Sequence, residues 1–298
     1  MGIVTGMAYR GRLAPSSTGL LHLGHARTFL LAAERAAAAG GLLYLRIDDL
    51  DRQRSRPEYV KAILEDLHWL GIDWTPWSAD SQPGGVYHQG SQGERYLAAF
   101  QRLVAVGAVY PCTCSRRDLL AALHAPHAED EDEPVYPGTC RPAAAPHGRQ
   151  PTPPSGPGAA WRFRVQDGES VCFHDGFAGP TTFTAGRDFG DFVVMRRDGV
   201  PSYQLASVVD DGAMGITEVV RGRDLLRSTA RQVLLCRALG YTPPAYAHCD
   251  LVVNEAGHRL AKRDGARSIR HLREIGHSAP DVRAAALGST VTGGVYRP

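Results

Sequence analysis

The stretch from Arg10 to Ala39, RGRLAPSSTGLLHLGHARTFLLAAERAAAA, constrains this chain more than any other. It reads as a strand end, a turn of small residues (Ala14-Pro15-Ser16-Ser17-Thr18-Gly19) and the tetrapeptide His22-Leu23-Gly24-His25. A long helix of high intrinsic propensity follows and stops at Gly40-Gly41. The first N–H groups of a helix have no partner within it, and the helix dipole adds partial positive charge there, so such a start can hold a polyphosphate. Gly24 lets a phosphate or a flat base come close to the backbone, and the imidazoles can donate to phosphoryl oxygens as charge builds. The same tetrapeptide also suits a helix start with incidental histidines, and its surroundings have to decide.

Leu42 to Ile47 (LLYLRI) reads as a buried strand, which makes the first fifty residues a β-α-β unit with Asp48, Asp49 and Asp51 at its carboxyl end. Ligands of open α/β sheets sit beyond the carboxyl ends of the strands, so the Arg12 turn, the histidine helix start and the acidic strand end should face one crevice. Ser55-Arg56-Pro57-Glu58 has the form of a capping box opening a helix that ends at Gly71. A further helix runs from about Glu94 to Val106, and Ser115 is a plausible cap for a short one.

From His124 to Ala160 the composition turns acidic and then rich in Pro, Ala and Gly, so a mobile insertion or linker is expected. Trp161 opens a β-rich stretch reaching Met195. PSYQLASVVDD follows, then Thr217 to Arg221 as a buried strand, a helix capped by Asp224 and closed by Gly240, and a strand from Asp250 to Val253. The basic loop His258 to Gly265 comes after. Tyr203, Arg221 and Lys262 thus fall near strand ends of a second half that mirrors the first. A split, doubly wound parallel sheet of α/β class is the economical architecture.

With 298 residues, 43% of them hydrophobic and 21% charged, the chain can bury a full core. A formal net charge of +2 does not announce a nucleic-acid binder. The N-terminus lacks the apolar core of a signal peptide and no apolar run is long enough to cross a bilayer, so a cytoplasmic protein without membrane contacts is expected. Six cysteines in a chain of this size are no disulfide framework. Cys112-Thr113-Cys114 with Cys140 nearby looks more like a metal clip, although three free cysteines would fit the same spacing.

These residues resemble a known family. RLAPSSTGLLHLGHARTFLL looks like the R-F-A-P-S-P-T-G…H-I-G-H signature of class I glutamyl-tRNA synthetases. RIDDLDRQRSRPEYVKAILEDLHWLGIDW and YQLASVVDDGAMGITEVVRGRDLL are similar to that family's next blocks, and Arg259-Leu260-Ala261-Lys262-Arg263 sits where it has K-M-S-K-S or K-L-S-K-R. The match runs in order from about Arg10 to Arg267. The cysteine cluster with Tyr136 further resembles the zinc site of the truncated paralogues, the glutamyl-Q tRNA(Asp) synthetases.

The resemblance implies a class I synthetase-type Rossmann catalytic domain, with residues 8–108 and 191–275 as its halves. A zinc-containing insertion would occupy 109–190 and a tail 276–298, with no anticodon-binding domain and a monomeric state expected. It implies ATP-dependent activation of L-glutamate, with Mg²⁺ accompanying ATP, and transfer to queuosine in tRNA(Asp). By resemblance His22, His25 and Lys262 are catalytic. Arg12, Leu13, Ala14, Pro15, Ser16, Asp48, Tyr203 and Arg221 bind glutamate; His22, Gly24, His25, Arg259 and Lys262 bind ATP; Cys112, Cys114, Tyr136 and Cys140 hold Zn²⁺, with His127 or water as other candidates for the fourth ligand.

Four positions depart from the family pattern: Ser17 for proline, Asp48 for the glutamate of R-I-E-D, Ala261 for the signature serine and Arg259 for its first lysine. Two other functions compete: a glutamate-activating ligase with a small-molecule or carrier-protein acceptor, and a non-catalytic synthetase-like module. Joint retention of His22, His25, Lys262, Arg12 and Arg221 argues against the last.

Overall fold

The computed structural model describes residues 8–77, 85–115, 118, 135–142, 158–252 and 268–288. Strand β1 (Arg10–Leu13), helix α1 (Leu23–Ala38) and strand β2 (Leu42–Ile47) form the expected β-α-β unit. β1 and β2 pair in parallel with Arg12 opposite Tyr44, and β3 (Tyr87–His88) extends the sheet beside β2. The apolar run of β2 is explained by layers on both faces. Leu43, Leu45 and Ile47 enter one apolar cluster with α1 and α2 (Pro57–Trp69), while Tyr44 enters another with α3 (Gly93–Ala105).

The hydroxyl of Ser55 does not cap α2. Arg56 is the N-cap without a side-chain bond, Pro57 needs no partner for an N–H, and Ser55 Oγ instead lies 2.6 Å from Ser17 Oγ. That bond ties the start of α2 to the turn after β1. Ser115 and Asp118 do exchange reciprocal bonds, Asp118 N–H to Ser115 Oγ at 3.2 Å and Ser115 N–H to Asp118 Oδ2 at 2.7 Å.

β4 (Val109–Cys112), β5 (Ala160–Phe163) and β8 (Phe192–Met195) make a separate antiparallel sheet in the order β4-β5-β8. The hairpin of β6 (Ser170–Asp175) and β7 (Gly179–Thr184) reaches back into the parallel layer, where Asp175 pairs with Tyr246 of β10 (Ala245–Cys249). β10 pairs in parallel with β9 (Glu218–Gly222). The two parallel sheets abut where the Thr217 N–H donates to the Arg10 carbonyl at 2.9 Å.

Three local expectations are corrected. PSYQLASVVDD contains the start of a helix, α4 (Tyr203–Ala213), capped by Ser202 Oγ accepting from Leu205 N–H, so Tyr203 opens a helix rather than lying at a strand end. The strand placed at Asp250–Val253 is instead Ala245–Cys249: the chain enters it directly after Pro243-Pro244, and Leu251 and Val252 follow it as irregular backbone. Asp224 lies in a 3-10 turn and does not cap α5 (Leu226–Leu239), whose N-cap is Leu225 without a side-chain bond. Gly240 closes α5 with φ +70°, as its position suggested. Two short helices, α6 (Ile269–Glu274) and α7 (Ala279–Leu287), pack beside α2 and α1.

Arg27 of α1 is 7% exposed and holds this last packing in place. Its guanidinium donates to the Ala286 carbonyl at 2.8 Å, to Asp250 O at 3.1 Å, and to the carbonyls of Leu251, Leu287 and Gly288. The end of α7 and the exit of β10 therefore share one cation, and carbonyls at a helix C-terminus favour positive charge. Arg27→Met should lower unfolding free energy by about 3 kcal/mol, because the buried Ala286 carbonyl and four partly buried ones lose a charged donor at once. Urea titration measures this; a change below about 0.5 kcal/mol, the range of an ordinary surface substitution, would contradict it.

Candidate active site

A crevice of about 560 Å³ opens at the carboxyl ends of β1, β2, β9 and β10. Arg12, Ala14, Pro15, Ser16, His22, Gly24, His25, Asp48, Tyr203 and Arg221 line it together. Leu13 is fully buried beneath it in the apolar core. Arg259 and Lys262 lie outside the described residues, as does most of the acidic and proline-rich segment.

The histidine pair is built into the start of α1. His22 is the N-cap, its Nδ1 accepting from Gly24 N–H at 3.2 Å, while His25 Nδ1 accepts from His22 N–H at 3.2 Å. This is a capping box made of imidazoles instead of hydroxyl and carboxylate. Since each Nδ1 serves as an acceptor, each neutral ring carries its proton on Nε2. The rings lie 3.8 Å apart between centroids. A Cβ on Gly24 would come within 3.1 Å of the His22 ring, so glycine here leaves room for the cap.

Arg12 and Asp48, which line the crevice, are joined beneath it by an alternating ladder of charge. Arg12 Nε lies 3.3 Å from Asp211 Oδ1, Arg46 NH1 lies 2.8 Å from the same oxygen, and Arg46 Nε lies 2.7 Å from Asp48 Oδ1. Arg46 is fully buried and Arg12 is 4% exposed. Burial raises the Asp48 carboxyl above the usual range against the lowering pull of Arg46. Beside Asp211, Asp210 accepts from Tyr87 OH at 2.6 Å, from Tyr96 OH at 2.9 Å and from Gln89 Nε2 at 2.6 Å. Burial still pushes Asp210 up to about 6. Arg46 and Gln89 were not identified from sequence, and Asp210-Asp211 stood out as an acidic pair without a role, although a charged residue inside the apolar run LLYLRI was a visible sign.

Arg221, 5% exposed, is held differently. Its Nε donates to His248 Nε2 at 3.0 Å, NH1 to Gln232 Oε1 at 2.8 Å and to Tyr203 OH at 3.2 Å, and NH2 to Thr229 Oγ1 at 2.8 Å and the Leu225 carbonyl at 3.4 Å. Behind it His248 Nδ1 lies 2.5 Å from Asp175 Oδ2. Burial and the Arg221 charge hold His248 down to about 4, so the ring is neutral near pH 7. Burial alone would raise Asp175, but backbone N–H bonds from Ala178 and His248 and the His248 side chain bring it to about 2.

A second constellation stands apart from the crevice. The sulfurs of Cys112, Cys114 and Cys140 lie within 4.8 Å of one another. Cys114 Sγ is 3.4 Å from Cys140 Sγ, and Tyr136 OH is 3.5 Å from Cys112 Sγ and 3.6 Å from Cys114 Sγ. Zinc–thiolate bonds of about 2.3 Å at tetrahedral angles would set ligand separations near 3.8 Å, close to these. The Arg162 guanidinium, 3.8 Å above the Tyr136 ring and with Nε 3.3 Å from Cys112 Sγ, favours anionic ligands there. Burial alone would raise the Cys140 thiol, but hydrogen bonds from the Thr113 backbone and the neighbouring side chains bring it to about 6.

Residues 8–285 match the family of class I tRNA synthetases (E and Q), catalytic domain. The chain is 48% identical over 272 residues to the glutamyl-Q tRNA(Asp) synthetase of Symbiobacterium thermophilum, covering 91% of this chain and 83% of that protein. It is 42% identical to glutamate–tRNA ligase 2 of Nitrosococcus oceani, covering 91% of this chain but 57% of that protein. The structure is similar to a glutamate tRNA ligase from Elizabethkingia meningosepticum crystallised in complex with its amino acid. There the TM-score is 0.71 and the identity 28%, over 91% of this chain and 54% of that one. The chain belongs to the class I tRNA synthetases (E and Q) and is a ligase of that family.

Proposed function

We propose that the crevice binds L-glutamate and ATP, joins them as glutamyl-adenylate, and passes the glutamyl group to queuosine of tRNA(Asp). The observation that carries this reading is that two buried arginines, Arg12 from β1 and Arg221 from β9, line one crevice together with a helix start built from histidines. A dicarboxylic amino acid presents two carboxylates, and arginine forks suit them. Asp48 is the candidate partner for the ammonium group, and Tyr203 and Ser16 close the pocket. Relatives 48%, 45% and 44% identical to this chain are named for the glutamyl-Q reaction, against 42% for the glutamate–tRNA ligase of Nitrosococcus oceani, which favours queuosine as acceptor over the terminal adenosine of a tRNA.

In the first step a glutamate carboxylate oxygen bonds to the α-phosphorus of ATP and pyrophosphate leaves. In the second, an acceptor hydroxyl attacks the acyl carbon and AMP leaves. The first step brings one anion against another, so its barrier falls with donors that face the phosphoryl oxygens. His22 and His25 supply Nε2–H groups whose orientation is set by the capping of α1, and Gly24 leaves the backbone open to the phosphates. Lys262, in the basic loop that resembles the second family signature, adds charge to the departing phosphates, and Arg259 flanks it. Mg²⁺ would enter with ATP.

Cys112, Cys114, Tyr136 and Cys140 would hold Zn²⁺, whose chemistry with four protein ligands and no open position is structural. Bound there, it would tie β4 to the segment around Tyr136.

Pyrophosphate exchange with single amino acids should show dependence on glutamate, and charging should require queuosine in tRNA(Asp). Absence of exchange in the presence of tRNA would refute activation, and equal labelling of tRNA lacking queuosine would refute the acceptor. Lys262→Ala should reduce exchange roughly 100-fold or more, the scale of losing one donor to a developing anion, while glutamate binding measured by calorimetry stays within about 2-fold. For the cysteine site, elemental analysis should find one zinc per chain. Cys112→Ser should lose it and lower the melting temperature, and unchanged metal content would rule the assignment out.

A further inference from the structure

Arg12 and Arg221 face the same crevice but are balanced in opposite ways. Arg12 touches a carboxylate directly, at Asp211. The five N–H groups of Arg221 instead meet five neutral acceptors: His248, Tyr203, Gln232, Thr229 and the Leu225 carbonyl. The shorter bonds, to Gln232, Thr229 and His248, come from buried side chains at 2.8 to 3.0 Å. The longer ones, to Tyr203 at 3.2 Å and Leu225 at 3.4 Å, come from residues that line the crevice. A carboxylate entering from the crevice can therefore take over one weak bond on each terminal nitrogen, while the strong bonds behind keep the fork in place.

One of those strong bonds depends on a tautomer. His248 accepts at Nε2, so its proton sits on Nδ1 and points to Asp175 Oδ2, 2.5 Å away. Asp175 comes from β6, on the opposite side of β10 from Arg221, and is itself anchored. Its Oδ1 accepts the N–H of Phe177 at 3.0 Å, of Ala178 at 2.9 Å and of His248 at 3.0 Å. Both Asp175 and His248 side chains are fully buried. Neither reaches the crevice.

Resting on the reading that Arg221 binds a glutamate carboxylate, we propose that Asp175 and His248 are positioning residues for substrate. Asp175 fixes the tautomer that makes His248 an acceptor, and His248 in that tautomer holds the Arg221 fork toward the crevice. The charge of Asp175 reaches Arg221 through the ring, and among the described residues no carboxylate bonds the guanidinium directly.

Asp175→Asn isolates this role. The amide oxygen can keep the three backbone N–H bonds, but the NH₂ group that replaces Oδ2 donates and cannot accept. His248 must then accept at Nδ1 and carry its proton on Nε2, where it confronts the Arg221 Nε–H, the wrong-tautomer effect that Asp-to-Asn exchange causes behind other histidines. The glutamate KM should rise roughly 10-fold or more, with kcat and the ATP KM within about 2-fold, because binding is lost rather than transition-state contact. His248→Gln offers Arg221 an amide oxygen without need of residue 175. It should bind glutamate nearly as the unaltered protein does, and the double variant D175N/H248Q should recover the affinity of H248Q alone.

Glutamate Kd by calorimetry gives the same comparison without turnover. An unchanged glutamate KM in D175N, a parallel rise in ATP KM, or a double variant weaker than D175N would overturn the proposal. If D175N does not fold, His248→Leu against His248→Gln decides it, since equal glutamate affinities in that pair would overturn it too. Absence of glutamate binding by the unaltered protein would instead remove the glutamate reading, and this proposal with it.

Discussion

The crevice depends on the sharing of Asp211 Oδ1 by Arg12 and Arg46. A fully buried guanidinium such as Arg46 is tolerated only when its charge and donors are met, and taking away one partner leaves the others uncompensated in a low dielectric. Asp211 comes from α4, Arg12 from β1 and Arg46 from β2, so this group of charges fixes a helix of the second half against two strands of the first. The adjacent Asp210 points another way, to Tyr87, Gln89 and Tyr96 around β3 and α3. Successive residues on a helix diverge by about 100°, which lets two neighbouring acids brace both flanks of the first half. The relative placement of the two arginines is thus set by buried ionic contacts, in addition to the apolar layers on either face.

Much of this fold is legible from periodicity and punctuation. The doubly buried LLYLRI, the alanine-rich α1 and the glycines at 40, 107 and 240 act in the structure as their chemistry demands. PSYQLASVVDD was harder for a physical reason. Gln204, Ser207, Asp210 and Asp211 recur at helical spacing, but in α4 this polar stripe is buried against other elements instead of facing water. The strand Ala245–Cys249, AYAHC, is less apolar than the Leu251-Val252-Val253 that follows it, so hydropathy alone points past the strand.

Residues of the crevice that lie within motifs could be identified because the motifs are local. Their partners could not. Arg46 meets Asp211 across 165 positions, and His248 meets Asp175 across 73. Neither pairing leaves a periodic trace, since a single buried polar contact has no spacing rule of its own. Asp175 also lies in the segment between the two expected halves, where nothing in composition ties it to the crevice; the parallel pairing of β6 with β10 sets it against His248, behind Arg221.

The histidines show how the backbone can prepare a site before any ligand arrives. His22 and His25 use their Nδ1 lone pairs to cap α1, which leaves Nε2 as the donor of each neutral ring. His248 has the opposite arrangement: Asp175 takes the Nδ1 proton and Nε2 becomes an acceptor. In each case the partner that sets the tautomer is structural, a helix N–H or a carboxylate anchored by three backbone amides. Reorienting a hydrogen-bonding group during binding costs free energy, so groups fixed in advance stabilise a charged ligand or transition state more effectively than mobile ones. The same logic explains why Arg221, at the other side of the crevice, is surrounded by acceptors that orient it but do not neutralise it. A carboxylate bound directly to that fork would compete with an incoming anion, whereas one acting through an imidazole supports the cation and leaves its outer edge open.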